Sequence, residues 1–177
     1  MIEWKKYMKY EDGKLFWNDL SEFDEISNLT KGKCKIGKRC GSLYLNKDRK
    51  TGYRKIGITI NGKFYYYKEH RIVWEMFNGE IPKGLQIDHI NGDGSDNRIE
   101  NLRLSTPSQN STNRVRKCKK TSNFRNVWYR GDRNKWVSSF VYGGKNYWVG
   151  TFETEQEAYL EYERFARKVV GEFFKEL

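Results

Sequence analysis

The sequence predicts an α+β fold carried by two modules, and three observations predict it. From Gly84 to Asn110 an apolar run, a loop dense in turn formers, an alternating run and a helix start follow one another. Ahead of them, Tyr53 to Ile60 alternates and passes through Asn61-Gly62, a two-residue hairpin turn, into the β-prone Phe64 to Tyr67. Behind them, three short β-prone runs separated by turn residues lead into a stretch of helical period that ends at Gly171. The expected organisation is a β-rich region over residues 1–66, a central module over 67–116, a basic linker over 117–123 and a C-terminal module over 124–177.

The upstream elements follow from local pattern. Tyr10 to Trp17 reads as a turn into a short strand, Asp19 to Glu25 as an acidic solvated loop, and Lys31 to Arg39 as a basic loop. Leu43-Tyr44-Leu45 is a short strand, with a turn over Lys47 to Gly52. In the hairpin, Ile56, Ile58 and Ile60 share one face while Lys55 and Thr59 take the other. This sheet is expected to back the central module, with Lys55, Lys63 and Lys68 available to a polyanion. Glu69 to Phe77 reads as a helix whose apolar face holds His70, Val73, Trp74 and Phe77. His70 is therefore expected to be packed rather than a ligand. Gly79 and Pro82 end the helix.

The central module carries the chemistry. Gly84-Leu85-Gln86-Ile87 is a short strand that delivers the adjacent Asp88 and His89. The loop from Asn91 to Asn97 is rich in turn formers, and Leu102 and Leu104 alternate with Arg103 in a second strand. Thr106 and Gln109 form a capping box and Pro107 takes the first helical position. Asn110 then lies in the first turns of that helix, facing back towards the strand of Asp88 and His89. Such a grouping suits phosphodiester hydrolysis. A hard cation such as Mg²⁺ takes oxygen ligands and keeps several waters, so the Asp88 carboxylate and the Asn110 amide oxygen suffice. His89, with an ordinary pKa of about 6.5, can take a proton from water. Asn101 is expected to fix the loop and the imidazole by side-chain hydrogen bonds, and Asn113, one turn beyond Asn110, is the alternative metal-facing residue.

Asp88-His89, Asn101 and Asn110 together resemble the HNH (ββα-metal) nuclease motif, in the form found in phage and group I intron homing endonucleases. The resemblance extends upstream to the His70-Arg71-Ile72-Val73-Trp74 run. It implies that Asp88 and Asn110 bind metal, that His89 is the general base and that Asn101 is structural. Asn110 stands where many members have His, and the loss of an imidazole ligand favours Mg²⁺ or Mn²⁺ over Zn²⁺.

Composition points to a polyanionic partner. The 177 residues carry a formal net charge of +11 and a pI near 9.5, which double-stranded DNA satisfies. No apolar run is long enough to span a membrane, and Met1 to Lys6 lacks the apolar core of a signal peptide. A cytoplasmic location is expected, with no membrane partner and no small-molecule cofactor. Cys34, Cys40 and Cys118 read as reduced, isolated thiols rather than a zinc site. After Asn110, Arg114, Arg116, Lys117, Lys119 and Lys120 are expected to contact phosphate.

In the C-terminal module, strands over Arg125–Arg130, Lys135–Tyr142 and Lys145–Phe152 should form a three-stranded antiparallel sheet. Thr154 and Glu157 cap the helix behind it, whose apolar face is Ala158, Tyr162, Phe165, Ala166 and Val169. From Arg114 to Gly150 there are ten lysines and arginines against the single Asp132, while the helix is acidic. Asn126-Val127, Lys135-Trp136-Val137, Trp148 to Phe152 and Glu157-Ala158 resemble the plant ethylene-response-factor (apetala-two) DNA-binding domain, which also occurs fused to phage HNH nucleases. In that family the sheet lies in the major groove, which implies DNA contacts from Arg125, Trp128, Arg130, Ser139 and Trp148. Trp128 and Ser139 depart from the Arg and Glu frequent in plant members, so no target sequence transfers.

The resemblances cover roughly residues 50–177. They imply a metal-dependent DNA endonuclease of homing type that nicks or cleaves double-stranded DNA. The rivals are a sequence-specific DNA-binding regulator with an inactive motif, a zinc-stabilised nucleic-acid-binding module, and a restriction-type HNH endonuclease.

Overall fold

The computed structural model describes residues 2–27, 30, 33–44, 52–112 and 121–175. The chain divides into two compact units, Met1–Leu104 and Ser105–Leu177.

The first unit opens with the one-turn helix α1 (Trp4–Tyr7) and the antiparallel hairpin β1 (Met8–Glu11) and β2 (Lys14–Trp17). Its turn, Asp12-Gly13, has both residues at positive φ, the backbone a tight hairpin requires. Glycine is needed at 13 for a second reason: a Cβ there would fall 2.8 Å from the backbone nitrogen of Arg98. A second sheet, in the order β3 (Ser42–Tyr44), β4 (Tyr53–Ile60), β5 (Lys63–Lys68), is antiparallel throughout. Asn61 and Gly62 turn the hairpin, also at positive φ. Ile56, Ile58 and Ile60 all point into the core, as their alternation predicts.

Helix α2 (Glu69–Asn78) buries Glu69, His70, Ile72, Val73 and Met76. The expected face holds for His70 and Val73 and in part for Trp74, which packs partly buried against the core, but not for Phe77, which is half exposed and meets the edge of Tyr10 at 4.9 Å between ring centroids. The core lies on the Ile72–Val73–Met76 side, and the helix packs against β4, β5, α1 and β2. This core is continuous from Trp4 to Leu102, so it crosses the expected boundary after residue 66. Strand β6 (Gln86–His89) follows, paired with β7 (Leu102–Ser105), which a short 3₁₀ turn at Ile99–Asn101 introduces.

In the second unit, helix α3 (Pro107–Thr112) starts in the expected capping box. The Gln109 amide N–H donates to the Thr106 hydroxyl, and the Gln109 side-chain oxygen accepts from the Thr106 backbone N–H at 2.7 Å. Strands β8 (Val127–Arg130), β9 (Lys135–Tyr142) and β10 (Lys145–Phe152) form an antiparallel sheet with β9 in the centre and an irregularity in β10 between Trp148 and Gly150. Helix α4 (Glu155–Val170) covers one face, packing Tyr162, Ala166 and Val170 on Phe140. Its N-terminus is a complete capping box of Thr154 and Glu157, and Gly171 ends it at positive φ. Thr154→Ala is expected to cost about 1 kcal/mol of stability, read as a lower urea midpoint at unchanged m-value. An unshifted midpoint would show that the cap contributes nothing. Among the described residues, no helix is long and apolar enough to cross a membrane.

Candidate active site

Asp88 and His89 are the last two residues of β6, and both are buried. Consecutive strand residues project to opposite sides, so the two side chains meet different neighbours. The Asp88 carboxylate is held by Arg103 from the paired strand β7. Arg103 Nε donates to Oδ2 at 3.0 Å, and Nη2 lies 2.9 Å from the same oxygen. His89 turns towards α2. Its Nε2 lies 2.9 Å from Asn97 Oδ1, and its ring stands edge-on to His70, with centroids 5.0 Å apart. Tyr53 flanks both imidazoles, at 5.3 Å from His70 and 6.0 Å from His89.

The loop between the strands is closed by its own polar side chains. Asn101 Oδ1 accepts from the Asn91 backbone N–H at 3.0 Å, and its Nδ2 donates to Asn91 Oδ1 and to the Asp96 carbonyl. Its main-chain carbonyl accepts from Ile90 N–H at 2.8 Å. Asn101 thus ties the start of the loop to its end. Asp96 clamps the outer side by a fork–fork pair with Arg98, whose hydrogen bonds hold the Asp96 carboxyl well down, at about 2.

Asn97, which the sequence pattern marks only as a turn former, is the residue that meets the His89 ring. Its Nδ2 donates to Glu69 Oε2 at 2.8 Å. Glu69, at the start of α2, is fully buried. Its Oε1 accepts from Leu15 N–H at 3.2 Å, and Arg39 and Arg54 approach Oε2 at 3.7 and 3.9 Å. Burial pushes its carboxyl pKa up, against the pull of the Leu15 N–H, the two guanidiniums and the Asn97 amide. Both oxygens accept, so the acceptor-only ionised carboxylate is the form this geometry fits. His70 is held neutral, its pKa pushed well below the ordinary value by burial and then by the neighbouring His89. It is packed, as its place on α2 predicts.

Glu69, Asn97 and Arg103 are the site residues that the sequence leaves unmarked. A buried carboxylate at the head of an amphipathic helix carries no local signal. Its partners arrive from positions 15, 39, 54 and 97, which only the fold brings together.

The remaining expected site residues fall in three groups. Asn110 lies on α3 in the second unit, its N–H bonded to the Thr106 carbonyl. Asn113, Arg114, Arg116, Lys117, Lys119 and Lys120 lie outside the described residues, as does Cys118. In the sheet of the second unit, strand register puts Trp128, Arg130, Ser139 and Trp148 on one face, the face opposite Phe140 and α4. Trp148 is 56% exposed there, and Arg130 pairs with Asp132. Arg125 differs from expectation. It is buried, donates to the Lys175 carbonyl at 2.8 Å, and lies over the rings of Tyr162 and Phe174. Its guanidinium anchors the C-terminal segment on the helix side of the sheet rather than serving the face of Trp128 and Trp148.

Among the described residues, no group of three or more His, Cys, Asp and Glu side chains is placed to hold a metal ion. A hard cation that keeps its own waters needs no such cluster, and Asp88 offers the hard oxygen it prefers. A cation would there share or displace the Arg103 guanidinium.

Comparison with known proteins identifies this region. Residues 67–112 match the family model described as HNH endonuclease. Protein 3.8 of Escherichia phage T7 is 31% identical over 55% of this chain and 89% of its own length. YosQ, named as an SPbeta prophage-derived HNH homing endonuclease of Bacillus subtilis, is 40% identical over 40% of this chain and 44% of its own. DNA endonuclease I-HmuI of Bacillus phage SP01 is 28% identical over 64% of this chain and 58% of its own. Its solved structure, described as DNA binding and cleavage by an HNH homing endonuclease, aligns over 60% of this chain and 51% of that one, at 25% identity and a TM-score of 0.42. The chain therefore spans most of the T7 protein but only about half of the two named homing endonucleases. With its HNH domain on the Asp88-His89 strand, the chain belongs to one family with phage T7 protein 3.8 and is an HNH endonuclease.

Proposed function

We propose that the chain is a metal-dependent endonuclease of homing type that hydrolyses phosphodiester bonds in double-stranded DNA. The observation that carries this reading is the division of labour on β6. Two adjacent buried residues are held by separate partners, a carboxylate by Arg103 and an imidazole by Asn97. His89 is the general base and takes the proton of the attacking water. Asp88, together with Asn110 from α3, holds Mg²⁺ or Mn²⁺. Once bound, such an ion stabilises charge on the phosphate and the leaving oxygen. Asn101 keeps the loop closed so that His89 stays fixed relative to Asp88.

Sequence preference is assigned to the face of the C-terminal sheet opposite α4 through Trp128, Arg130, Ser139 and Trp148, in the manner of the ethylene-response-factor domain. Arg114, Arg116, Lys117, Lys119 and Lys120 supply backbone contacts, which salt weakens. One site with one base most simply cuts one strand per engagement. Cutting both strands requires a dimer or a second binding event.

Scission of a supercoiled plasmid carrying segments of the source genome tests the reading. Conversion to open circle in Mg²⁺, abolished by EDTA and restored by Mg²⁺ or Mn²⁺, is the expected result. Scission that survives EDTA overturns the metal dependence. Tight binding to the plasmid with no scission in either metal overturns the enzyme reading in favour of a DNA-binding regulator whose Asp88 stays locked to Arg103.

A further inference from the structure

Glu69, Asn97 and His89 form a chain of two hydrogen bonds that runs from the first turn of α2, through the loop, to the imidazole. All three side chains are buried, at 0%, 2% and 4% exposure, so water does not compete for the bonds. The ends of this chain differ in character. Glu69 sits beside two guanidiniums and already accepts a backbone N–H. An ionised carboxylate can only accept. The Asn97 amide must then present its NH₂ to Glu69, which leaves its carbonyl oxygen towards His89. That oxygen is also only an acceptor, so the imidazole nitrogen facing it must carry the hydrogen. In a neutral imidazole one nitrogen donates and the other holds the lone pair.

We propose that Glu69 and Asn97 are positioning residues that set the tautomer of His89, fixing the proton on Nε2 and making Nδ1 the nitrogen that receives the proton of the attacking water. The inference rests on the proposed role of His89 as the base. It goes beyond that role by saying which nitrogen acts and which residues decide it. A carboxylate acts here at two removes, with an amide as the intermediary that relays the bond direction, imidazole to amide to carboxylate. Asn101 differs from Asn97 in what it holds, since it fixes the loop backbone whereas Asn97 fixes the ring.

The test reads the tautomer directly. The chain has two histidines, so a ¹⁵N–¹H correlation spectrum of the histidine-labelled full-length protein contains two imidazoles. The set lost in His89→Ala belongs to His89. A neutral His89 protonated on Nε2 is expected in the wild type. An Nδ1-protonated ring overturns the proposal, whether or not the protein cuts DNA. Failure of wild-type scission alone would overturn the enzyme reading and leave the tautomer assignment standing.

Variants then test who sets it. In Glu69→Gln, the glutamine can present either end of its amide, so Asn97 can turn over. The His89 spectrum should become mixed, and kcat should fall ~10-fold or more while KM changes little. The double substitution Glu69→Gln with Asn97→Asp restores an acceptor at His89 and a donor at position 69. It should recover the Nε2-protonated spectrum and most of kcat. A fall in kcat with an unchanged tautomer, or a mixed tautomer that the double variant does not correct, overturns the relay. If Glu69→Gln does not fold, Asn97→Ala gives the same readout from the middle of the chain.

Discussion

His89→Ala is expected to lower the single-turnover rate of DNA scission by ~10²–10⁴-fold, the range typical of a removed general base, while plasmid affinity stays within about twofold. The ring is 4% exposed, so the substitution has a structural cost as well. Asn97 Oδ1 loses its donor, a penalty of about 1–3 kcal/mol for a buried acceptor left unsatisfied. Thermal unfolding must therefore be measured on the same preparation, and the rate compared at a temperature where the variant is folded. A base lost from a folded site lowers kcat and kcat/KM together, and a smaller active fraction does the same, so the rate is normalised to the folded fraction read from the unfolding curve, which separates the two effects. Scission within tenfold of wild type, by a folded protein, would remove His89 from the chemistry.

The sequence discloses the motif far better than its support. Asp88-His89 and the two following asparagines are spaced by a loop whose turn formers are local and readable, and Thr106 to Gln109 signal their helix by capping chemistry within four residues. The Asn61-Gly62 hairpin and the alternating isoleucines of β4 are legible for the same reason, since turn type and burial are decided by near neighbours. What reads poorly depends on distant packing. The buried face of α2 runs through His70, Ile72, Val73 and Met76 and leaves Phe77 half exposed, because α1 and β2, distant in sequence, pack on the helix together with β4 and β5. Arg125 reads as a cation offered to DNA, but Tyr162, Phe174 and the Lys175 carbonyl take it inward. Periodicity shows that a side chain is polar and where its strand begins. It does not show that an aromatic pocket some fifty residues later will claim the charge.

Glu69→Ala is expected to destabilise the first unit by about 3–5 kcal/mol, the cost of removing one partner from a buried charge cluster. Four groups converge on this carboxylate. The Leu15 N–H and the Asn97 amide donate hydrogen bonds, while Arg39 and Arg54 stand at 3.7 and 3.9 Å, too far for hydrogen bonds but close enough for Coulomb attraction at low dielectric. Alanine leaves a buried N–H, a buried amide and two mutually repelling guanidiniums facing a cavity. Glu69→Gln keeps the volume and one acceptor, so its loss should be smaller, and the difference between the two variants isolates shape and acceptor from charge. The measurement is urea unfolding followed by near-ultraviolet circular dichroism, with the C-terminal unit watched separately by hydrogen exchange. The Leu15, Ile72 and Val73 amides should lose protection in Glu69→Ala, because the carboxylate ties β2 to α2. The Phe140 and Tyr162 amides of the second unit should keep theirs. An alanine variant as stable as wild type would mean that burying this charge costs as much as its four partners return, and that the cluster is maintained for His89 rather than for the fold.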